Sequence, residues 1–162
     1  VAQRVTIFFW CWLVLGPGVL IGVVPWWLAH QVGASPAWQG TIRQWIGVWV
    51  ILNGCGLSAW CASMLIRYGN GTPLPLDPPK RLVIAGPYRF VRNPMALGFF
   101  VLLFGQALLY RSWLVCGYLL VLAAGLHLYL LKIEEPELAT RFGPAYKEYR
   151  RRVPRWLPRP PQ

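Results

Sequence analysis

Four stretches of this chain contain no aspartate, glutamate, lysine or arginine: roughly Val5 to Ala29, Gln44 to Ile66, Pro94 to Tyr110 and Ser112 to Leu131. Backbone inside hydrocarbon must satisfy its own N–H and C=O groups, so segments of this kind cross a membrane as helices. The third, at 17 residues, reaches about 25 Å as a helix, which is short but usable against a core of about 30 Å. With 56% hydrophobic residues and ten tryptophans in 162 residues, the composition of the whole chain is not that of a soluble globule either. The expected fold is all-α, a polytopic membrane helix bundle of about four transmembrane helices. It forms a single domain over residues 1–162, with spans near 5–29, 44–66, 94–110 and 112–131 and a tail from 132 to 162.

The first span is too long for the apolar core of a signal peptide and has no small-x-small cleavage site after it, which predicts a retained span. Gly16-Pro17-Gly18 predicts a kink within it.

A net charge of +11 in a soluble protein would point to nucleic acid, but its distribution points elsewhere. Arg4 precedes the first span, five basic residues (Arg67, Lys80, Arg81, Arg89 and Arg92) lie between the second and third, and eight follow the fourth. Only Arg43 and Arg111 fall in the other two connections. This alternation is the positive-inside pattern of four spans with both termini in the cytoplasm, and it excludes nucleic acid as the expected partner. Arg150 to Arg152, Arg155 and Arg159 are expected on the anionic leaflet, each worth about 1 kcal/mol near the surface. A helix over 145–152 with Tyr146 and Tyr149 is also placed to act as a lid.

Cys11, Cys55, Cys61 and Cys116 lie in apolar spans without a CxxC, and His30 and His127 stand alone. Reduced core residues are expected, and no metal. Small residues recur every seven positions at Gly40, Gly47, Gly54 and Cys61, at Gly98 and Gly105, and at Gly117 and Ala124. Each set shares a helix face, and such seams let membrane helices approach closely.

Only Arg111-Ser112 joins the third and fourth spans, so these form a tight antiparallel hairpin whose other ends return to one surface. Before the hairpin, a loop with Pro73, Pro75, Pro78 and Pro79 should run extended with few backbone hydrogen bonds. Gly69-Asn70-Gly71 reads as a turn, since no strand precedes it. After the hairpin, Pro136 suits the first turn of a new helix, and Gly143-Pro144 should break it.

The chemistry gathers at that surface. Asn93-Pro94 is an N-cap followed by proline at the first helical position, so the third span begins with free N–H groups beside Arg92 and Arg89. Such an end attracts anions, either a ligand or lipid headgroups. Glu134-Glu135 closes the fourth span where the helix dipole prefers cations, by roughly 0.3 to 1 kcal/mol each. The compensating charge is either a structural partner, such as Arg89, Arg92 or Lys132, or a cationic ligand. One opening with both signs of charge suits a zwitterionic or mixed-charge molecule.

The ordered motifs GPYRFVRNPMALG, EEPEL and FGPAYKEYRRRVPRWLP, over about residues 69–158, resemble the membrane superfamily of isoprenylcysteine carboxyl methyltransferase and phospholipid methyltransferases. The resemblance, to a bacterial-type member, implies an integral membrane methyltransferase, in a bacterial inner membrane, with a cytoplasmic C-terminal cofactor-binding region. It implies S-adenosylmethionine as cofactor and a lipophilic small molecule or lipid from the bilayer as acceptor: an isoprenylcysteine-type carboxylate, a thiol or a lipid headgroup. It places Leu82, Val83, Gly86, Tyr88, Asn93, Pro94, Met95, Ala96 and Glu134 against the cofactor, and Arg92 and Glu135 at the reaction, Arg92 orienting the acceptor.

Two departures stand out. Asn93-Pro94-Met95-Ala96 replaces the usual His-Pro-x-Tyr, and Leu130 stands where the isoprenylcysteine enzymes place an arginine for the substrate carboxylate. The alternative readings are an NADPH-dependent membrane reductase and a noncatalytic lipid-binding protein of the same fold.

Overall fold

The computed structural model describes residues 14–33, 38–73 and 77–159. Arg4, Cys11, Pro75 and the beginning of the first expected span lie outside them. All regular structure among the described residues is helical. A π-helical stretch, Val14–Val23, leads into α1 (Val24–Gln31), followed by α2 (Ile42–Gly69), a 3-10 turn (Gly86–Arg89), α3 (Pro94–Tyr110) and α4 (Trp113–Tyr129). A π-helical turn, Leu130–Glu134, joins α4 to α5 (Glu135–Arg152). Two helices are long and apolar enough to cross a membrane, α2 and the one that begins at Trp113, while α3 is a shorter apolar helix. Trp45, Trp49, Leu52 and Trp60 on α2 and Leu120 and Val121 on α4 are exposed, as lipid-facing residues must be.

The chain divides into two compact units. The first comprises Val1–Asn53 and Phe99–Val121. Its core is Ala29, Ala107 and Val115, with Leu28 and Tyr110 packed against it. The expected kink at Gly16-Pro17-Gly18 falls in the π-helical stretch, and the stretch ends beside Pro25. Lacking an N–H, Pro25 leaves the carbonyl of Ile21 without its α-helical donor and that of Leu20 without its π-helical one. Two side chains take over: the Gln106 amide donates to Ile21 O at 2.8 Å and the Tyr118 hydroxyl to Leu20 O at 2.9 Å. Neighbouring helices commonly repair proline breaks inside membranes in this way.

Small residues also set the helix approach here. A Cβ on Gly105 would lie 2.8 Å from the carbonyl oxygen of Gly47, and one on Gly47 would lie 3.0 Å from that of Gly105. The turn between α3 and α4 takes two residues, Arg111 at φ 52° and the buried Ser112, whose carbonyl accepts from the Cys116 N–H.

The second unit comprises Gly54–Gly98 and Leu122–Gln162. The seven-residue seam recurs in it, because a Cβ on Gly98 would meet Ser58 Oγ at 2.3 Å and the carbonyl oxygen of Gly54 at 3.0 Å. In α4 the pattern does no such work: a Cβ on Gly117 would have nothing within 4 Å. The proline-rich loop closes on itself instead of running extended. The carbonyl of Gly69 at the end of α2 accepts from both Lys80 and Arg81 N–H, at 2.8 and 3.1 Å, and Asn70 makes the turn at φ 52°.

Pro136 sits in the first turn of α5, as expected, but α5 follows α4 without a break in the helical path. The chain slips one residue in register, with the Glu135 N–H donating to Leu130 O five residues back, and continues into α5. The slip accommodates a proline that cannot donate to the carbonyl four residues behind it. Further on, Gly143 at φ 54°, ψ −128° breaks the helix before Pro144, as its sequence predicts.

Two predictions follow the packing of the first unit. Gly105→Ala should lower the thermal unfolding temperature in detergent, by about 1 to 3 kcal/mol of stability for an overpacked backbone contact, while Gly117→Ala should leave it unchanged or raise it. Tyr118→Phe should cost about 1 kcal/mol by the same measurement, since Leu20 O loses its donor.

Candidate active site

Every sequence-predicted site residue belongs to the second unit. Two clusters of buried side chains build its frame. Cys61 of α2 packs with Val83 and Tyr88, and Met95 and Ala85 lean on them. Tyr146, Tyr149 and Val153 form the other, with Leu82, Leu138, Ala139 and Phe142 against it. Leu82 and Val83, adjacent in the chain, thus serve different clusters, as expected for an extended segment whose neighbours point to opposite sides.

Gly86 opens the 3-10 turn at φ 54°, packed near Met64 and Trp60 of α2. At the start of α3, Pro94 is fully buried, Asn93 and Ala96 are half-buried, and the carbonyl of Asn93 accepts from the Leu97 N–H. That bond is the one an N-cap residue makes.

The tail straps this segment in place. The Tyr149 hydroxyl donates to the Tyr88 carbonyl at 2.7 Å, the Arg92 N–H to Pro154 O at 2.9 Å and the Arg159 N–H to Phe90 O at 3.3 Å. Trp156 Nε1 donates to His127 Nδ1 at 3.0 Å, anchoring the strap to the last turns of α4. Burial raises the Tyr149 hydroxyl above the ordinary tyrosine range, so it remains a donor.

The two glutamates part company. Glu135 is 5% exposed and clamped by two guanidinium groups. Arg155 binds it through both oxygens, Nε to Oε1 at 2.6 Å and Nη2 to Oε2 at 3.0 Å, while Arg92 Nη1 forms an ion pair with Oε1 at 2.9 Å. Burial would push the Glu135 carboxyl up, but the Arg155 hydrogen bonds and the charges of Arg92 and Arg155 outweigh it and hold it below the ordinary range.

Glu134 is half-buried, and among the described residues no cation pairs with it. Burial, then the charges of Glu135 and Glu137, push its carboxyl above the ordinary range. Arg92 Nε is buried without a hydrogen-bond partner, while its Nη1 is taken up by Glu135. After burial and nearer neighbours, the charge of Glu134 still raises Tyr88. Tyr146, raised first by burial, also feels Glu135, Arg92 and Glu134. Tyr146 thus feels both glutamates and is partnered by Arg92, which is itself paired with Glu135.

Glu135, expected at the reaction, is paired with Arg92 and Arg155. The sequence reading is corrected here at one residue. Arg155, assigned by sequence to the lipid surface, turns inward with its side chain 19% exposed. Arg150, Arg151 and Arg152 are exposed.

Taken with its apolar exposed helices, this geometry defines a membrane protein with a polar site at the ends of its helices. A model of phospholipid methyltransferases matches residues 42–145, and the chain belongs to that family. Methanethiol S-methyltransferase 2 of Bradyrhizobium diazoefficiens is 36% identical over 74 residues, which cover 44% of this chain and 27% of that protein. The match thus spans little more than a quarter of that relative's length. No solved structure matches the chain.

The opposite shifts of the two carboxyls give opposite signs of pH dependence. Glu135, lowered on folding, stabilises above the ordinary carboxyl range near pH 4.3 and loses that contribution as pH falls through its lowered value. Glu134, raised on folding, stabilises below that range and loses the contribution as pH rises through its raised value. Thermal unfolding of ligand-free protein at pH 7 should therefore move in opposite directions, down for Glu135→Gln and up for Glu134→Gln. Both differences should shrink as the solution is acidified.

Proposed function

We propose that this protein is an integral membrane methyltransferase that uses S-adenosylmethionine and methylates a lipophilic acceptor, with a thiol as the favoured class. The observation that carries the reading is Glu134, a half-buried carboxylate that no cation pairs among the described residues, next in the chain to Glu135, which Arg92 and Arg155 hold. A ligand bearing an ammonium or sulfonium fits this carboxylate. Tyr88 and Tyr146 offer aromatic surface beside it.

S-adenosylmethionine, when bound, supplies a methyl group made electrophilic by its sulfonium. Glu134 would hold the cationic groups and hydroxyls of that cofactor. The start of α3 at Asn93, Pro94, Met95 and Ala96, together with Leu82, Val83, Gly86 and Tyr88, would hold its amino-acid and adenosine parts. Arg92 orients the acceptor, and Glu135 positions Arg92. The tail strap and the tyrosine cluster exclude water. Aligning nucleophile, carbon and sulfur in this way can supply roughly 7 to 11 kcal/mol of the barrier.

Leu130 is 2% exposed and apolar, so no cation meets a prenylcysteine carboxylate at that position. A thiol acceptor agrees with the activity for which the Bradyrhizobium relative is named, and a phospholipid with the name of the family. The positive-inside pattern supports placing residues 67–92 and 132–159 at the cytoplasmic face of a bacterial inner membrane, with about four spans.

Calorimetric titration of the detergent-purified protein with S-adenosylmethionine should show binding that Glu134→Gln abolishes or weakens by tenfold or more, about 1.4 kcal/mol. Transfer of radiolabelled methyl should then appear in a small-thiol extract above a total-lipid extract. Wild-type protein that binds no cofactor would overturn the reading.

A further inference from the structure

Single exposed apolar residues are ordinary on a protein surface, and Leu157, 78% exposed, would mean little by itself. Its neighbours give it meaning. Trp156, the residue before it, donates its Nε1–H to His127 Nδ1 at 3.0 Å, the two rings tilted with centroids 6.1 Å apart. His127 belongs to α4, and the uncharged run that starts at Ser112 ends only at Lys132, five residues beyond that histidine. At a rise of 1.5 Å per residue, His127 lies about 7 Å inside the first charge that closes the run. After α5 the tail therefore comes back to the depth where headgroups meet acyl chains.

Phe90 stands beside this tip, because its carbonyl accepts from the Arg159 N–H at 3.3 Å. It is 42% exposed and precedes the start of α3 at Pro94 by four residues. Arg89 and Arg159, both exposed, flank the pair, and neither 86–93 nor 152–159 contains an acid. A tryptophan, two exposed apolar side chains and arginines at their edge make a surface that is apolar at its centre and cationic at its rim. An anionic lipid surface has the complementary order, acyl chains beneath phosphates.

We propose that Trp156, Leu157 and Phe90 form an interfacial anchor, a docking surface for the anionic leaflet of the bilayer in which α4 sits. Leu157 and Phe90 enter the boundary between headgroups and acyl chains, while Arg89 and Arg159 meet lipid phosphates. Arg155, which grips Glu135, directly precedes Trp156, so the lipid that holds the tip also holds the tail against the glutamate cluster. The anchor needs the membrane placement of α4 and nothing of the methyl-transfer chemistry. Protein that bound no cofactor would still make these lipid contacts.

The test uses the full chain in nanodiscs of equal parts phosphatidylcholine and phosphatidylglycerol. The photoreactive residue p-benzoylphenylalanine is placed at Leu157, at Phe90 and, as a control, at Glu148, whose side chain is 47% exposed on α5 and paired with Arg152. Irradiation should give phospholipid adducts at the first two positions and at least about tenfold less at the third, read by mass spectrometry of the intact protein. No lipid adduct at Leu157, an equal yield at Glu148, or capture of a second copy of the chain at Leu157 overturns the proposal.

A second arm reads the strap itself by hydrogen exchange of peptides covering 89–93 and 153–159. Leu157→Asp should speed their exchange by about tenfold or more and Leu157→Phe should not, since a large apolar side chain still inserts. The double variant Arg89→Gln/Arg159→Gln should speed exchange in the mixed discs and leave it unchanged in discs of phosphatidylcholine alone, where no anionic lipid meets the arginines. A purely structural role for the two arginines would act equally in both lipids, and that result, or a Leu157→Asp that exchanges like wild type, overturns the anchor.

Discussion

The Glu135 carboxylate, gripped by Arg92 and Arg155, is the contact on which the second unit depends. It joins the segment before α3, the start of α5 and the end of the tail in one cluster. Removing one member of a buried ion cluster commonly costs several kcal/mol, because the remaining charges stay behind without partners. The tail strap runs alongside it through Tyr149, Pro154, Trp156 and Arg159. Two of those bonds use backbone groups on both sides, so the order of the chain fixes them as much as the side chains do.

Helix packing and tail packing rely on different physics. Between apolar helices in lipid, burial of apolar surface supplies little preference, and close approach of backbone supplies contact. Gly47 with Gly105, and Gly54 with Gly98, show that regime. Outside it, Tyr146, Tyr149 and Val153 form a cluster of the kind water exclusion drives, with Leu138 and Phe142 around it. One sequence therefore carries two codes, small residues at a period of seven and large apolar ones at helical spacing over 138–149.

These codes explain what was legible. Uncharged length located the helices to within a few residues: Gln44 to Ile66 lies inside Ile42–Gly69, and Pro94 to Tyr110 coincides with α3. The glycine period located a real helix interface in α2 and α3, but not in α4, because a small residue permits an approach without compelling one. The break at Gly143-Pro144 was local chemistry and came through. The π-helical turn at Leu130–Glu134 did not, since a proline admits either a new helix or a slip in register, and neighbours decide. Arg155 was lost among basic residues that share its charge. Its flanks carried a signal, Val153-Pro154 before and Trp156-Leu157 after, whereas Arg150 to Arg152 are contiguous on an exposed helix end.

Two adjacent acids stand where the sequence places the end of a helix, but α4 runs on through the π-helical turn into α5, and the two side chains part by rotation. Consecutive residues on a helix point about 100° apart, so neighbouring side chains cannot share one environment. Glu135 faces the arginines and Glu134 does not. The π-helical turn ends at Glu134 and α5 begins at Glu135, so the slip that Pro136 requires falls on this pair. Identical side chains are thereby driven apart, one held ionised by partners inside the protein, the other left with a charge that nothing among the described residues balances. A protein selected only for stability would not keep Glu134, whose ionisation is resisted by burial and by two neighbouring acids. The cationic cofactor proposed for this site would supply the missing compensation.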